Sequence, residues 1–130
     1  KLSDNNIYSG VLLMPILPFI NDTEENIRNI IKRAYECGAK FIFSYGIGVT
    51  LRSNQREYYF EQLRKIFPNQ MLDEKYIKTY GEHYENSSLK SEHLWKVFKE
   101  ECEKYNLLYD MKDIIKDYKS RYESSQITWF

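Results

Sequence analysis

At 130 residues, with 42% hydrophobic and 29% charged content, the chain is long enough for one domain with its own core and ordinary for a globular protein. Its 19 basic and 19 acidic residues cancel to a formal net charge of zero, which argues against strong non-specific nucleic-acid binding by this chain alone but is compatible with a local basic stripe. The longest apolar run, residues 11–20, is broken by two prolines and too short to span a bilayer, and nothing resembles a signal peptide, so a cytoplasmic protein with no membrane partner is expected.

Residues 1–9 contain KLSDNN, a composition of helix end and turn without a start methionine, so the chain is expected to begin part-way through a longer protein. Residues 10–22, GVLLMPILPFIND, are the stretch around which the rest is organised. The four apolar residues 11–14 are too few for a helix and suit a buried parallel strand. Pro15 and Pro18 lack backbone donors and end the ladder. Asn21 and Asp22 then form a capping signal, with Glu25 as the reciprocal partner of Asp22.

Residues 23–37 carry the clearest helical pattern, with Ile27, Ile30, Ile31 and Ala34 on one apolar face and Gly38 placed for a left-handed C′ position. FIFSY, residues 41–45, reads as a second strand. Strand, helix and strand make a βαβ unit, expected to be parallel and right-handed. Ligands of such units sit beyond the carboxyl ends of the strands, which places the expected ligand face at the prolines and at Gly46-Ile47-Gly48. Gly46-x-Gly48 is a weak phosphate-loop signal without the third glycine. The favoured reading is backbone that needs positive φ or close approach to a ligand or neighbour.

Residues 49–52 continue as extended chain. Ser53 or Asn54 then caps a helix through Phe67, with Tyr59, Phe60, Leu63, Ile66 and Phe67 on one face and Pro68-Asn69 as its stop. No further strand pattern follows. Residues 73–80 read as a short helix with Tyr76, Ile77 and Tyr80 inward, and residues 81–88 as a polar loop. Residues 91–105 form an amphipathic helix with Leu94, Trp95, Phe98, Cys102 and Tyr105 on its face. Residues 110–122 form a last helix carrying Ile114, Ile115 and Tyr118. The tail, residues 123–130, ends in ITWF, which is expected to dock or pair.

Cys37 and Cys102 both fall in helical patterns and read as reduced core thiols rather than a disulfide. His83 and His93 have no Cys or carboxylate at ligand spacing and read as solvated. Arg52, Arg56, Lys75 and Lys78 flank the region after the strands, where an anionic substrate would meet them, but as isolated charges they too read as solvated. There is no Gly-x-Ser-x-Gly elbow, Walker loop or HExxH. The residues by themselves yield a βαβ unit, a helical remainder and a ligand face, without a reaction.

Three stretches together, GVLLMPILPFINDTEENI, YGIGVTLRSNQREYYFEQLRKIFP and EKYIKTYGEHY, resemble the C-terminal part of radical S-adenosylmethionine proteins of the spore photoproduct lyase-like group, often labelled DNA repair photolyases. The ending QITWF is similar to that group's short apolar ending. The resemblance implies an α/β fold: residues 1–52 as the late βαβ part of a partial TIM-type parallel barrel, and residues 53–130 as a mostly helical C-terminal extension. It implies that Met14, Pro15, Ile16, Tyr45 and Gly46 line the nucleoside side of the cofactor site, with Arg52 nearby over substrate. The family's CxxxCxxC motif, which holds a [4Fe–4S] cluster beside S-adenosylmethionine, is absent here. The fragment is therefore expected to carry no cofactor and no activity alone, the cluster and S-adenosylmethionine belonging to the complete protein. The implied partners are the N-terminal part of the same protein and, for that complete protein, a nucleic-acid substrate; self-association through the severed strand edge is a further expectation. The rival reading is a stand-alone helical binding module without catalysis.

Overall fold

The computed structural model describes residues 5 and 7–127, the side chains as far as Arg121. Strand β1 (Gly10–Leu12), helix α1 (Glu24–Glu36) and strand β2 (Phe41–Phe43) form the expected parallel βαβ unit, with Gly10 opposite Phe41 and Leu12 opposite Phe43. Leu108 bridges the other side of β2: the Ile42 N–H donates to its carbonyl at 2.9 Å, and its own N–H donates to the Lys40 carbonyl. β2 is thus paired on both edges, whereas among the described residues β1 is paired on one.

β1 is less buried than a strand of four consecutive apolar residues leads one to expect. Leu13 is buried and Val11 half-buried, but Leu12 is 65% exposed and Met14 43% exposed. Side chains alternate across a strand, so one face of β1 packs on the helices and the other is left open.

α1 starts one residue later than the Asn21-Asp22 signal suggests. Thr23 is the N-cap, its Oγ1 accepting from the Asn26 N–H at 3.2 Å, with Glu24 and Glu25 in the positive first turn. Asp22 is buried instead, where its carboxylate accepts from the Ser88 hydroxyl at 2.6 Å. Ile27, Ile31 and Ala34 are buried as the period requires, while Ile30 is only half-buried. Gly38 takes φ 81°, the left-handed exit that a residue with a Cβ adopts at a cost.

Strand β3 (Gly48–Thr50) pairs antiparallel with β4 (Glu85–Ser87), inside the stretch read as a polar loop. Its sequence, Glu85-Asn86-Ser87, has no apolar alternation to betray it, because Asn86 is the residue that faces inward. Helices α2 (Ser53–Ile66), α3 (Leu72–Tyr80), α4 (Ser91–Lys104) and α5 (Met111–Ile127) complete the described chain. Several residues assigned inward faces lie outside. Ile66, Ile77, Ile115 and Tyr118 are exposed, and so is Cys37 at the end of α1, whereas Cys102 is buried. Thr128–Phe130, most of the apolar ending, lie outside the described residues.

Two apolar cores result. The first packs Ile27 and Ile31 of α1 and Ile42 of β2 against Leu94, Phe98 and Cys102 of α4, so it draws on both sides of residue 52. The second gathers Leu51, Phe60, Leu63, Leu72, Tyr76 and Tyr80 around α2 and α3, and Phe19 and Ile20 of the β1–α1 connection pack onto it. That connection therefore fastens the two cores together directly behind the carboxyl end of β1.

Candidate functional site

Beyond the carboxyl ends of β1 and β2 lies an open hollow of about 420 Å³. Met14 and Pro15 enter it from β1, Tyr45 and Gly46 from β2, and the β3–β4 pair closes the far wall with Thr50, Glu85 and Ser87. Tyr45 presents its ring almost wholly to solvent, at 89% exposure, and the Met14 thioether stands beside the same space. Ser44 is buried, and its hydroxyl donates to the Gly46 carbonyl at 3.0 Å, which fixes the turn after β2.

The two glycines of Gly46-x-Gly48 have different reasons to be there. A Cβ on Gly46 would meet nothing within 4 Å, so its backbone faces open space. A Cβ on Gly48 would lie 2.6 Å from the Asn86 carbonyl oxygen and 2.8 Å from Ser87 Cα. Neither has positive φ. Close approach to a neighbour, one half of the favoured reading, is thus the reason for Gly48, and the neighbour is β4.

Four of the five residues implied for the nucleoside side, Met14, Pro15, Tyr45 and Gly46, come together in this hollow. Ile16 does not line it. That side chain is 1% exposed and packs in the first core. Arg52 does not line it either; its Nε donates to the Tyr84 hydroxyl at 3.2 Å at the outer end of β3. Arg56 donates to the Gly81 carbonyl and stacks over Phe60 at 5.2 Å, and Lys75 and Lys78 sit exposed on α3. The charged side chain that does line the hollow is Glu85, which sequence reasoning missed along with Asn86 and Ser87. The available signal was indirect: a glycine whose neighbour must come close needs a strand to supply that neighbour.

Comparison with family models, with curated proteins and with solved structures gave no match. The chemistry of the hollow therefore has to be read from its own residues.

Its second wall is held by buried polar links. Asn86 spends its amide donors on the His83 and Tyr84 carbonyls, at 3.1 and 3.2 Å. The Asp22–Ser88 bond ties the end of β4 to the start of α1. Tyr76, fully buried, donates to the Pro18 carbonyl at 2.7 Å, and Tyr59 then donates to Tyr76 at 3.0 Å. Burial pushes the Tyr76 phenol well above the usual tyrosine range, so it stays a neutral donor.

Elsewhere, Glu24 is shared between Arg28 and His93, whose Nε2 lies 3.1 Å from it, and Arg28 reaches across to the buried Glu101. His93 thus does meet a carboxylate, from another helix. Burial pushes the Cys102 thiol up to about 12, which makes it a poor ligand and a poor nucleophile. Among the described residues no group of three or more His, Cys, Asp or Glu is arranged to hold a metal, and no helix is long and apolar enough to cross a membrane. The hollow itself offers a ring, a thioether, open backbone, one carboxylate and the hydroxyl-bearing Thr50 and Ser87. That combination suits a planar apolar group with a polar edge.

Proposed function

We propose that this chain is the C-terminal part of a radical S-adenosylmethionine enzyme of the spore photoproduct lyase-like group, and that it contributes the nucleoside side of the site. The observation that carries the reading is the hollow. It lies beyond the carboxyl ends of a parallel βαβ unit, where parallel folds bind ligands, and it gathers Met14, Pro15, Tyr45 and Gly46 from both strand ends. Its volume falls in the range of about 300–1,000 Å³ usual for small-molecule sites. A partial TIM-type barrel also accounts for the uncovered face of β1, because strands of such a barrel are covered on both faces when complete.

The residues fit the two halves of the implied cofactor system differently. The iron–sulfur cluster does not fit: it needs three thiolates, and of the two cysteines here one is exposed at the end of α1 and the other buried in the first core. A nucleoside fits. Tyr45 supplies a ring face for a base, Met14 a polarizable contact, and Gly46 backbone that a ligand approaches without meeting a Cβ. In the complete protein, S-adenosylmethionine would supply the group that abstracts hydrogen from a substrate, once cleaved by an electron from the cluster held outside this chain. The substrate we propose is a damaged nucleobase. In that chemistry the residues of this chain bind, orient and shield.

Two measurements test the reading. The 130-residue chain, reconstituted anaerobically with iron and sulfide, stays colourless; a stable brown species with about four irons per chain sinks it. In the complete protein, Tyr45→Ala weakens S-adenosylmethionine binding about tenfold, the loss of one good stacking contact. Unchanged affinity in both Tyr45→Ala and Met14→Ala removes the hollow from the site.

A further inference from the structure

The β3–β4 pair gives the hollow a wall unlike the strand ends across from it. Thr50 stands opposite Glu85, and Gly48 opposite Ser87. Residues directly opposite in a ladder share a face, and so do residues two apart on one strand, so Thr50, Glu85 and Ser87 project from one face. All three are exposed, and all three line the hollow. Val49 and Asn86 turn the other way, Val49 onto the second core and Asn86 into the interior. The hollow is therefore two-sided. Met14, Pro15 and Tyr45 present apolar surface, and the sheet presents two hydroxyls and one carboxylate.

The charge on that wall is of one sign. Among the described residues Glu85 has no ion-pair partner, and no Lys, Arg or His lines the hollow. Arg52 and Arg56, which follow β3 in sequence, are engaged elsewhere, on the Tyr84 hydroxyl and the Gly81 carbonyl. Nor is the backbone arranged as in a phosphate loop, where glycines lead straight into a helix N-terminus. Here α2 opens only at Ser53, and β4 occupies the place beside Gly48. The Asn86 amide gives its hydrogens to the His83 and Tyr84 carbonyls. We propose that the hollow selects its ligand by charge, with Glu85 as the discriminating residue. The group that a bound nucleoside carries beyond its base and sugar is neutral or cationic, and a phosphate is repelled. The inference rests on the nucleoside reading above and narrows it to unphosphorylated nucleosides. A nucleotide, or a strand with its phosphodiesters, is excluded from this hollow.

Three probes that share adenine and ribose test this: 5′-amino-5′-deoxyadenosine, adenosine and adenosine 5′-monophosphate. At neutral pH they carry an ammonium, a hydroxyl and a phosphate on the same carbon. Their binding to the 130-residue chain is followed by NMR through the amide shifts of Gly46, Gly48 and Ser87. The amine binds tightest and the monophosphate weakest, at least about tenfold apart in dilute buffer, and the gap narrows as salt screens it. Glu85→Gln closes most of the gap, chiefly by raising the affinity for the monophosphate, and Glu85→Lys reverses the order. Glu85 is exposed, so both variants keep the parent's Tm. Tyr45→Ala weakens all three probes alike, which places them in the hollow. Equal affinities, or a monophosphate that binds the parent tightest, overturn charge selection and leave the nucleoside reading in place. An order that survives both Glu85 variants overturns Glu85 as the discriminator. Probes that leave the three amides unmoved, or whose binding ignores Tyr45→Ala, overturn the nucleoside reading and this inference with it.

Discussion

Gly48→Ala tests whether the far wall of the hollow is built as described. The added methyl would meet the Asn86 carbonyl oxygen at 2.6 Å and Ser87 Cα at 2.8 Å, against ordinary contact at 3.4–4 Å. Both obstacles are backbone, so no side chain can swing away, and β4 must retreat by about 0.8 Å, the difference between 2.6 and 3.4 Å. The bonds that flank the contact, Ser88 N–H to the Ile47 carbonyl and Leu51 N–H to the Tyr84 carbonyl, both 2.8 Å, would then lengthen to the limit of hydrogen bonding. Losing most of two such bonds costs about 1 kcal/mol each, and overpacking adds about 1 kcal/mol, so the expected loss is about 2–3 kcal/mol. For a chain of this length that lowers Tm by roughly 6–15 °C. Gly46→Ala is the internal control. It lies two residues away in the same hollow, meets nothing within 4 Å and lacks positive φ, so it changes stability by less than about 0.5 kcal/mol. Urea denaturation of the two variants beside the parent decides the matter. A Gly48→Ala loss below about 0.5 kcal/mol, or equal losses at both glycines, would refute the close approach of β4.

Two further outcomes follow from packing and charge. Ile31→Ala, fully buried between α1 and the sheet, loses about 2–5 kcal/mol, whereas Ile30→Ala, half-buried at the shallow groove between β1 and α1, loses about 1–2 kcal/mol; equal losses in denaturant melts would mean that the groove is not open. Acid weakens the fold through three carboxylates held below the usual range: Glu24 by Arg28 and then His93, Glu61 by Lys65, and Asp73 by Arg64. Each binds fewer protons folded than unfolded, so its contribution is complete above the unfolded pKa of about 4 and is lost as pH falls through the lower folded value. All three are solvent-screened. The urea midpoint therefore falls modestly between pH 6 and pH 3, and falls less in high salt; a midpoint flat across that range removes these pairs from the account.

What the sequence determined by itself was local. The stripe of Ile27, Ile31 and Ala34 repeats at the helical period, Gly38 sits where a helix leaves through positive φ, and FIFSY follows at the distance that a βαβ unit needs. These are properties of neighbouring residues, and apolar periodicity records them directly. Part of the first wall was legible for the same reason, since Pro15 and Gly46 follow two recognisable strands, whereas Met14 and Tyr45 were placed there only by the family resemblance. The second wall was decided by tertiary structure alone. β4 has no apolar pattern, because what holds it is a ladder to residues some 35 positions away, the inward-turned Asn86 amide and a Ser88 hydroxyl on Asp22. Backbone pairing uses groups that every residue other than proline carries, so a ladder free of proline leaves no mark in composition. Asp22 shows the same limit at one residue. Its side chain has the chemistry of a helix cap, but Thr23 takes that place, because a hydroxyl 66 positions away engages the Asp22 carboxylate in the interior. Ile30 and Leu12 were apolar positions expected to be covered; their burial depends on what packs across β1 and α1, which the period of a local stretch does not record.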